Sequence, residues 1–229
     1  MTDISALPIG PADIDAAAGV VAPFAVRTPL LGFPVLDERV GAKVFLKPEM
    51  LQRTGSFKFR GAFNKLASIP EDKRAGGVVA FSSGNHAQGV AASAKLLNMH
   101  ATIVMPSDAP TLKRERTKSY GAEVVLYDRY KESREEVGAK IARERNATIV
   151  APYDEPQVIA GQGTCGLEIA AQAKAAGATL DAVIVTHFGP ARMIRAHYLG
   201  LSPEAVASWR PPHFGIMRLS QGTEAYFGD

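Results

Sequence analysis

At 229 residues with 46% hydrophobic and 21% charged content, the chain has globular composition and enough length for one large domain or two small ones. A net charge of +3, with no basic cluster interleaved with aromatics, argues against a nucleic-acid groove, and no apolar run approaches the ~20 residues that a membrane helix needs. Cys165 is the only cysteine, which excludes an intramolecular disulfide and a multi-cysteine metal site; Met1 to Ala18 lack Lys and Arg and so differ from a secretory signal, and a cytoplasmic setting is expected.

In chain order, Ile14 to Ala18 starts a short helix, and an irregular approach through Pro23, Thr28-Pro29 and Pro34 follows. Lys43 to Lys47 reads as a strand stopped by Pro48, and Phe59 to Ser68 as a helix with apolar residues at helical spacing. From Val78 a regular alternation sets in. Strands are expected at Val78–Phe81, Ala101–Met105, Val124–Tyr127, Ala147–Ala151 and Asp181–Val185. Helices are expected between them, at Ala87–Leu97, Leu112–Tyr120 (ending at Gly121), Glu132–Arg143 and Thr164–Ala176. Strands separated by helices imply right-handed crossovers and a mostly parallel sheet, so the fold class is α/β.

After Val185 the texture changes. Residues 186–229 carry four arginines and no lysine, three of the five histidines and the only tryptophan. Apart from Met193–Leu199 and Glu204–Trp209 they show little periodicity. His187 and His197 stand ten apart, outside ordinary metal-ligand spacing.

Two stretches carry chemistry. Lys58 lies between Phe57 and Phe59, just after Thr54-Gly55-Ser56. An ammonium in apolar surroundings loses solvation, its pKa falls, and its neutral amine becomes available as nucleophile or base. The alternative is an ordinary helix-start lysine lying over its own apolar stem. The second stretch, Ser82-Ser83-Gly84-Asn85-His86, falls at the carboxyl end of a strand where a helix begins. Free backbone N–H groups, two hydroxyls and an amide there suit a carboxylate or phosphate, whereas helix capping needs one serine only. Gly161-Gln162-Gly163-Thr164 also reads as opening a helix, but a Gly-x-Gly alone is weak evidence for a nucleotide site. An activated lysine near an anion-binding turn suits covalent chemistry with a carbonyl compound.

The run Lys47-Pro48-Glu49-x-x-Gln52-x-Thr54-Gly55-Ser56-Phe57-Lys58-Phe59-Arg60-Gly61-Ala62, followed by Ser82-Ser83-Gly84-Asn85-His86-Ala87-Gln88-Gly89, resembles the serine/threonine dehydratase and serine racemase branch of the fold-type II pyridoxal-phosphate enzymes. Arg27-Thr28-Pro29-Leu30 and Val158 to Thr164 match family signatures too, and the similarity runs from about Arg27 through Val185. Phe59 after the lysine and His86 after Asn85 favour the dehydratases and racemases over the cysteine synthases. The resemblance implies three-layer, open, mostly parallel sheets of the tryptophan synthase β-like kind, truncated in the large domain. Residues 1–74 and 153–185 would form part of a large cofactor-binding domain, 75–152 a small domain, and 186–229 an atypical tail.

By the same resemblance, Lys58 would carry pyridoxal 5'-phosphate on its amine and then act as the base at Cα. Phe57 would brace the ring, and Asn85 would hydrogen-bond the cofactor's phenolic oxygen. Ser82, Ser83, Asn85 and His86 would hold the substrate carboxylate, with Ser83 the acid on the opposite face. Arg134 matches a substrate-side arginine of racemase-like members; by pattern alone it is a solvated helix charge. The implied reaction is dehydration and deamination of L-threonine or L-serine to a 2-oxo acid and ammonia. Serine racemase, hydroxyaspartate ammonia-lyase and a catalytically inert fragment remain open alternatives. The implied partners are a small hydroxy amino acid and, as the family's usual assembly, a second copy in a homodimer.

One departure stands out. Family members follow the strand matching Asp181–Val185 with a glycine-rich loop that binds the cofactor phosphate. Here Thr186-His187-Phe188-Gly189-Pro190-Ala191-Arg192 stands in its place. The change in composition at that point leads to the expectation that 186–229 arises from a shifted reading frame or a damaged gene. A glycine-rich loop in another frame of the underlying DNA would bear this out.

Overall fold

Four of the expected strands pair into one parallel sheet in the computed structural model, which describes residues 8–183, 216–220 and 223–227. The order is β5 (Glu123–Tyr127), β4 (Ala101–Pro106), β3 (Val78–Phe81), β6 (Thr148–Ile149). Each strand continues into a helix: β3 into α5 (Asn85–Leu96), β4 into α6 (Thr111–Ser119), β5 into α7 (Arg134–Arg145) and β6 into α8 (Pro156–Ala175). Ahead of them come α1 (Pro11–Val21), β1 (Leu31–Gly32), α2 (Pro34–Val40), β2 (Phe45–Leu46), a short 3-10 turn at Glu49–Leu51, α3 (Lys58–Ala67) and α4 (Glu71–Arg74).

Because β3 and β4 are central and covered on both faces, β3 reads as an unbroken apolar run and β4 as one interrupted by Thr102, and their alternate residues serve two different cores. Val78, Ala80, Ile103 and Met105 pack with Ala87, Val90, Ala91 and Ala94 of α5 and with Ala62 and Leu66 of α3. Val79 and Val104 face the other way, against Val137, Ile141 and Ala142 of α7. Behind α5 lies α3, and α1 and α8 pack on α3. A third cluster fills part of this outer layer, with Phe59 and Phe63 against Val21 and Phe24.

The boundaries shift for local reasons. Helix α7 begins at Arg134, not Glu132, because Ser133 is its N-cap and accepts a hydrogen bond from Glu136 N at 3.3 Å. It runs on to Arg145 because the left-handed residue that ends it is Asn146, with φ +52°. Pro106 belongs to β4 instead of closing it. Strand β3 has already ended by that point, so the missing N–H interrupts no ladder, and Pro106 pairs only with Tyr127. Helix α5 starts two residues early, at Asn85; its N-cap is Gly84, and no side chain caps it.

The largest correction concerns α8, a 20-residue helix that starts at Pro156 and not at Thr164. Proline at its first position supplies the start signal. The Gly161-Gln162-Gly163 stretch therefore lies in its interior, where missing side chains permit close helix approach. A Cβ on Gly161 would come within 2.7 Å of Arg60 O and of Gly61 Cα, and one on Gly61 within 2.6 Å of Val158 O. A Cβ on Gly163 would meet Ile14 of α1 at 3.0 Å. Gly161→Ala is thus expected to push α8 from α3 and to cost about 1–3 kcal/mol, read as a lowered denaturant midpoint at unchanged slope.

Residues Met1–Thr179 make one compact unit and Leu180–Asp229 a second. Residues 181–183 carry no strand, and Ile184 and Val185 lie outside the described residues, as do the periodic stretches Met193–Leu199 and Glu204–Trp209 and the loop at 186–192. The low periodicity read after Val185 conceals one antiparallel hairpin, β7 (Ile216–Ser220) with β8 (Thr223–Phe227), in which Ile216 pairs with Phe227. Among the described residues, no helix is long and apolar enough to cross a membrane.

Candidate active site

Lys58 is the first residue of α3, delivered by a turn in which Gly55 takes φ +74° and donates its N–H to Gln52 O at 2.7 Å. Its Nζ donates to Pro152 O at 2.9 Å and lies 5.4 Å from the centre of the Phe57 ring. Burial lowers its pKa from the ordinary lysine value. The two flanking phenylalanines do not share this task. Successive helical residues point about 100° apart, and Phe59 turns into the core, its ring 5.6 Å from that of Phe63. Only Phe57 stands beside the amine.

The second stretch falls where it was expected, at the carboxyl end of β3 and the start of α5. The serines do not cap the helix. Ser82 Oγ instead accepts from Gly84 N at 3.2 Å, and the first bond into the helix runs from Gln88 N to Gly84 O at 3.4 Å. The N–H groups of Asn85, His86 and Ala87 precede that bond and form the electropositive end of the helix. Asn85 is exposed, and Ser82 and Ser83 are half-buried.

His86 is buried, with Nε2 3.2 Å from Val150 O. Its pKa is lowered to about 4, first by burial and then by the charge of Lys58, against an opposing effect of the Val150 bond. The ring is therefore neutral near pH 7. Nε2–H is the donor to Val150 O, and Nδ1 is a buried acceptor with no partner among the described residues. Arg134, the first residue of α7, stacks 5.5 Å from the centre of the Phe81 ring, one residue before Ser82, and bonds Glu135 Oε1 at 2.7 Å. Tyr127 and Tyr153 lie within electrostatic reach of its guanidinium.

The segment that joins these groups was read in the sequence only as the end of the strand expected at Ala147–Ala151, with no part in the site. After β6, residues 150–153 run past all three: Val150 O binds His86, Pro152 O binds Lys58, and Tyr153 lies within electrostatic reach of Arg134. On the other side, α5 approaches the base of the lysine closely. A Cβ on Gly89 would come 3.1 Å from Lys58 O.

A second constellation lies beneath Lys58. Arg60, 1% exposed, donates to both oxygens of Glu49 (2.8 and 2.9 Å) and to both of Glu168 (2.8 and 3.0 Å). Lys47 Nζ adds bonds to Glu168 (2.5 Å), Gln172 Oε1 (2.9 Å) and Thr28 O (2.7 Å). Thr28 Oγ1 donates to Glu49 at 2.7 Å. Lys47, Glu49 and Arg60 were quoted above only as letters of a motif, and Glu168 not at all. Burial acts to raise the pKa of Glu168, but its bonds to Arg60 and Lys47 outweigh that and leave it lowered. A carboxylate depressed in the folded state contributes stability above its unfolded pKa, and that stability is lost as pH falls through the folded value. Acid titration of the wild type is therefore expected to destabilise the chain below about pH 4.5, with less of that loss in Glu168→Gln. Cys165, nearby on α8, has its thiol pushed up to about 11, chiefly by burial, and is no nucleophile near neutrality.

These residues fit pyridoxal phosphate on the side they cover. A half-buried amine held by one carbonyl suits its aldehyde, and the hydroxyls of Thr54 and Ser56, just before the amine, are buried without partners. The end of α5 suits a carboxylate. A family profile described as pyridoxal-phosphate dependent enzyme matches residues 21–207. An L-threo-3-hydroxyaspartate ammonia-lyase of Pseudomonas sp is 55% identical over 157 residues, 69% of this chain and 49% of that one. A serine racemase of Schizosaccharomyces pombe is 46% identical over the same shares. The solved threonine deaminase of T.th. superposes with TM-score 0.69 at 45% identity, over 75% of this chain and 54% of its own. The chain spans about half the length of the curated relatives it matches.

Proposed function

We propose, from the premise that the chain belongs to the pyridoxal-phosphate-dependent enzyme family, that it serves in the β-elimination of water from L-threonine or L-serine, yielding a 2-oxo acid and ammonia. The observation that carries this reading is Lys58. Burial lowers the pKa of its amine, whose hydrogen bond among the described residues is to Pro152 O, and the amine stands within electrostatic reach of His86 at the uncapped start of α5. When bound, the cofactor supplies an electron sink for the negative charge left at the amino acid's Cα.

The chain's own residues divide the remaining work. Lys58 Nζ, its neutral form favoured by burial, takes the Cα proton. Ser83 Oγ is assigned as the acid on the opposite face, Phe57 as the brace of the cofactor ring, and Asn85 as the partner of the cofactor's phenolic oxygen. Ser82, Ser83, Asn85 and His86 hold the substrate carboxylate at the start of α5. For His86 the contribution is its backbone N–H, because its ring N–H is engaged by Val150 O and Nδ1 can only accept.

A second reading has L-threo-3-hydroxyaspartate as substrate. Arg134 favours it, as a cation beside Phe81 at the end of β3 that could meet a second carboxylate if it exchanged Glu135 for the substrate. The test is to incubate the full chain and pyridoxal phosphate with L-threonine, L-serine or L-threo-3-hydroxyaspartate, and to measure 2-oxo acid, ammonia and D-serine. Equal amounts of 2-oxo acid and ammonia from threonine or serine support elimination, and preference for the dicarboxylate supports the second reading. D-serine without 2-oxo acid means racemisation, and no turnover of any substrate sinks the enzymatic reading.

A further inference from the structure

The charge cluster under Lys58 is out of proportion to any need of stability. A buried ion pair replaced by apolar residues of similar volume is commonly neutral or even stabilising, so burial of Arg60 among carboxylates calls for another reason. Its geometry supplies one. The first turn of α3 has no side-chain cap, and its N-cap, Phe57, is itself helical, so local sequence does little to hold the turn. Arg60 ties that turn to three distant segments: the Val26 carbonyl at 3.4 Å, Glu49 of the 3-10 turn, and Glu168 with Thr164 on α8. Lysine offers no planar fork that could grip two carboxylates at once.

The cluster is also balanced. Two cations, Lys47 and Arg60, meet two carboxylates, Glu49 and Glu168. We infer that Arg60, neutralised by Glu49 and Glu168, is a positioning residue for Lys58, locking the turn that carries the amine while adding no net charge to its surroundings. The environment of Lys58 agrees. A guanidinium stands two residues away, and burial lowers the pKa of the amine. Its other neighbours are the Pro152 carbonyl, the Phe57 ring and, from α5, the neutral His86.

The inference concerns Lys58 as the reactive amine of the proposed site, but its test requires neither cofactor nor turnover. The full chain, freed of cofactor, is reductively methylated with 13C-formaldehyde, and the Lys58 signal is assigned by its loss in Lys58→Arg. Its NMR shift is then followed against pH. Glu168→Gln leaves one positive charge in excess, and Lys58 is expected to titrate lower by roughly one pH unit, as for a charge on the order of 10 Å away at an effective dielectric near 20. Arg60→Gln leaves a negative excess and should move the midpoint up by a similar amount. The double variant Arg60→Gln/Glu168→Gln restores the balance, so the midpoint returns to that of the wild type while the melting temperature stays depressed. A purely structural cluster would lower the melting temperature in all three and leave the Lys58 midpoint where it was, and that result would overturn the inference. Should Arg60→Gln fail to fold, Glu168→Gln decides alone, since its amide keeps the shape and part of the hydrogen bonding. Arg60→Lys keeps the charge and loses the fork. It should hold the midpoint but broaden or double the Lys58 signal, and a single sharp resonance would overturn the positioning role.

Discussion

Lys58→Ala is expected to remove the visible absorbance that bound pyridoxal phosphate gives the wild-type chain and to lower turnover by on the order of 10²–10⁴-fold, the usual contribution of a positioned proton-transfer group. The physical basis is specific to this amine. Burial favours its neutral form, and among the described residues its hydrogen bond is to the neutral Pro152 carbonyl, with no carboxylate paired to it. Lys58→Arg should fail in the same way, because guanidinium stays protonated at any working pH and offers no nucleophilic nitrogen. Phe59→Leu should be nearly silent for absorbance, since Phe59 faces Phe63 and the core. Phe57→Leu should disturb it, since that ring lies beside the amine. Absorbance that persists in Lys58→Ala would assign cofactor binding to another group.

Arg60→Met is expected to cost about 3–5 kcal/mol, because it strands two part-buried carboxylates with only Lys47 to neutralise them. For a chain of this length that corresponds to a fall in melting temperature of roughly 6–20 °C. Replacing the whole cluster should behave differently. A combined variant with Lys47, Glu49, Arg60 and Glu168 all exchanged for apolar residues of similar size should recover much of the loss, because no uncompensated charge then remains buried. Thermal melts of the two variants beside the wild type check both statements. A single variant no less stable than the wild type would mean that the carboxylates find other partners or protonate at little cost.

Both expectations begin at α3, and the two residues behind them were not equally legible. Lys58 announced itself through an unusual neighbourhood of residues adjacent in sequence, and β3 was bounded correctly as Val78–Phe81 from the same kind of local signal. Ser133-x-x-Glu136 was equally local, a capping signature readable three residues apart, and its neglect misplaced the start of α7. Gly161 misled in the other direction. A glycine in a chain reads as a break, yet this one is a contact surface for the backbone of Arg60 and Gly61, and nothing local distinguishes the two uses.

What the sequence by itself determined is the α/β alternation, the parallel sheet that follows from it, the position of Lys58 before a helix, and the polar turn at the end of β3. All of these are patterns of spacing within a dozen residues, and hydrophobic periodicity with turn chemistry encodes them directly. Tertiary structure alone decided which partner each polar group takes. Lys58 meets a carbonyl 94 residues away, and Arg60 meets Glu168 at a separation of 108. It also divided the two phenylalanines, one to the amine and one to the core, and left the His86 ring neutral with its Nε2–H engaged by Val150 O. The physical reason is that charge state and hydrogen-bond partnership depend on burial and on which distant segment fills the neighbouring space, and neither is a property of residues close in sequence.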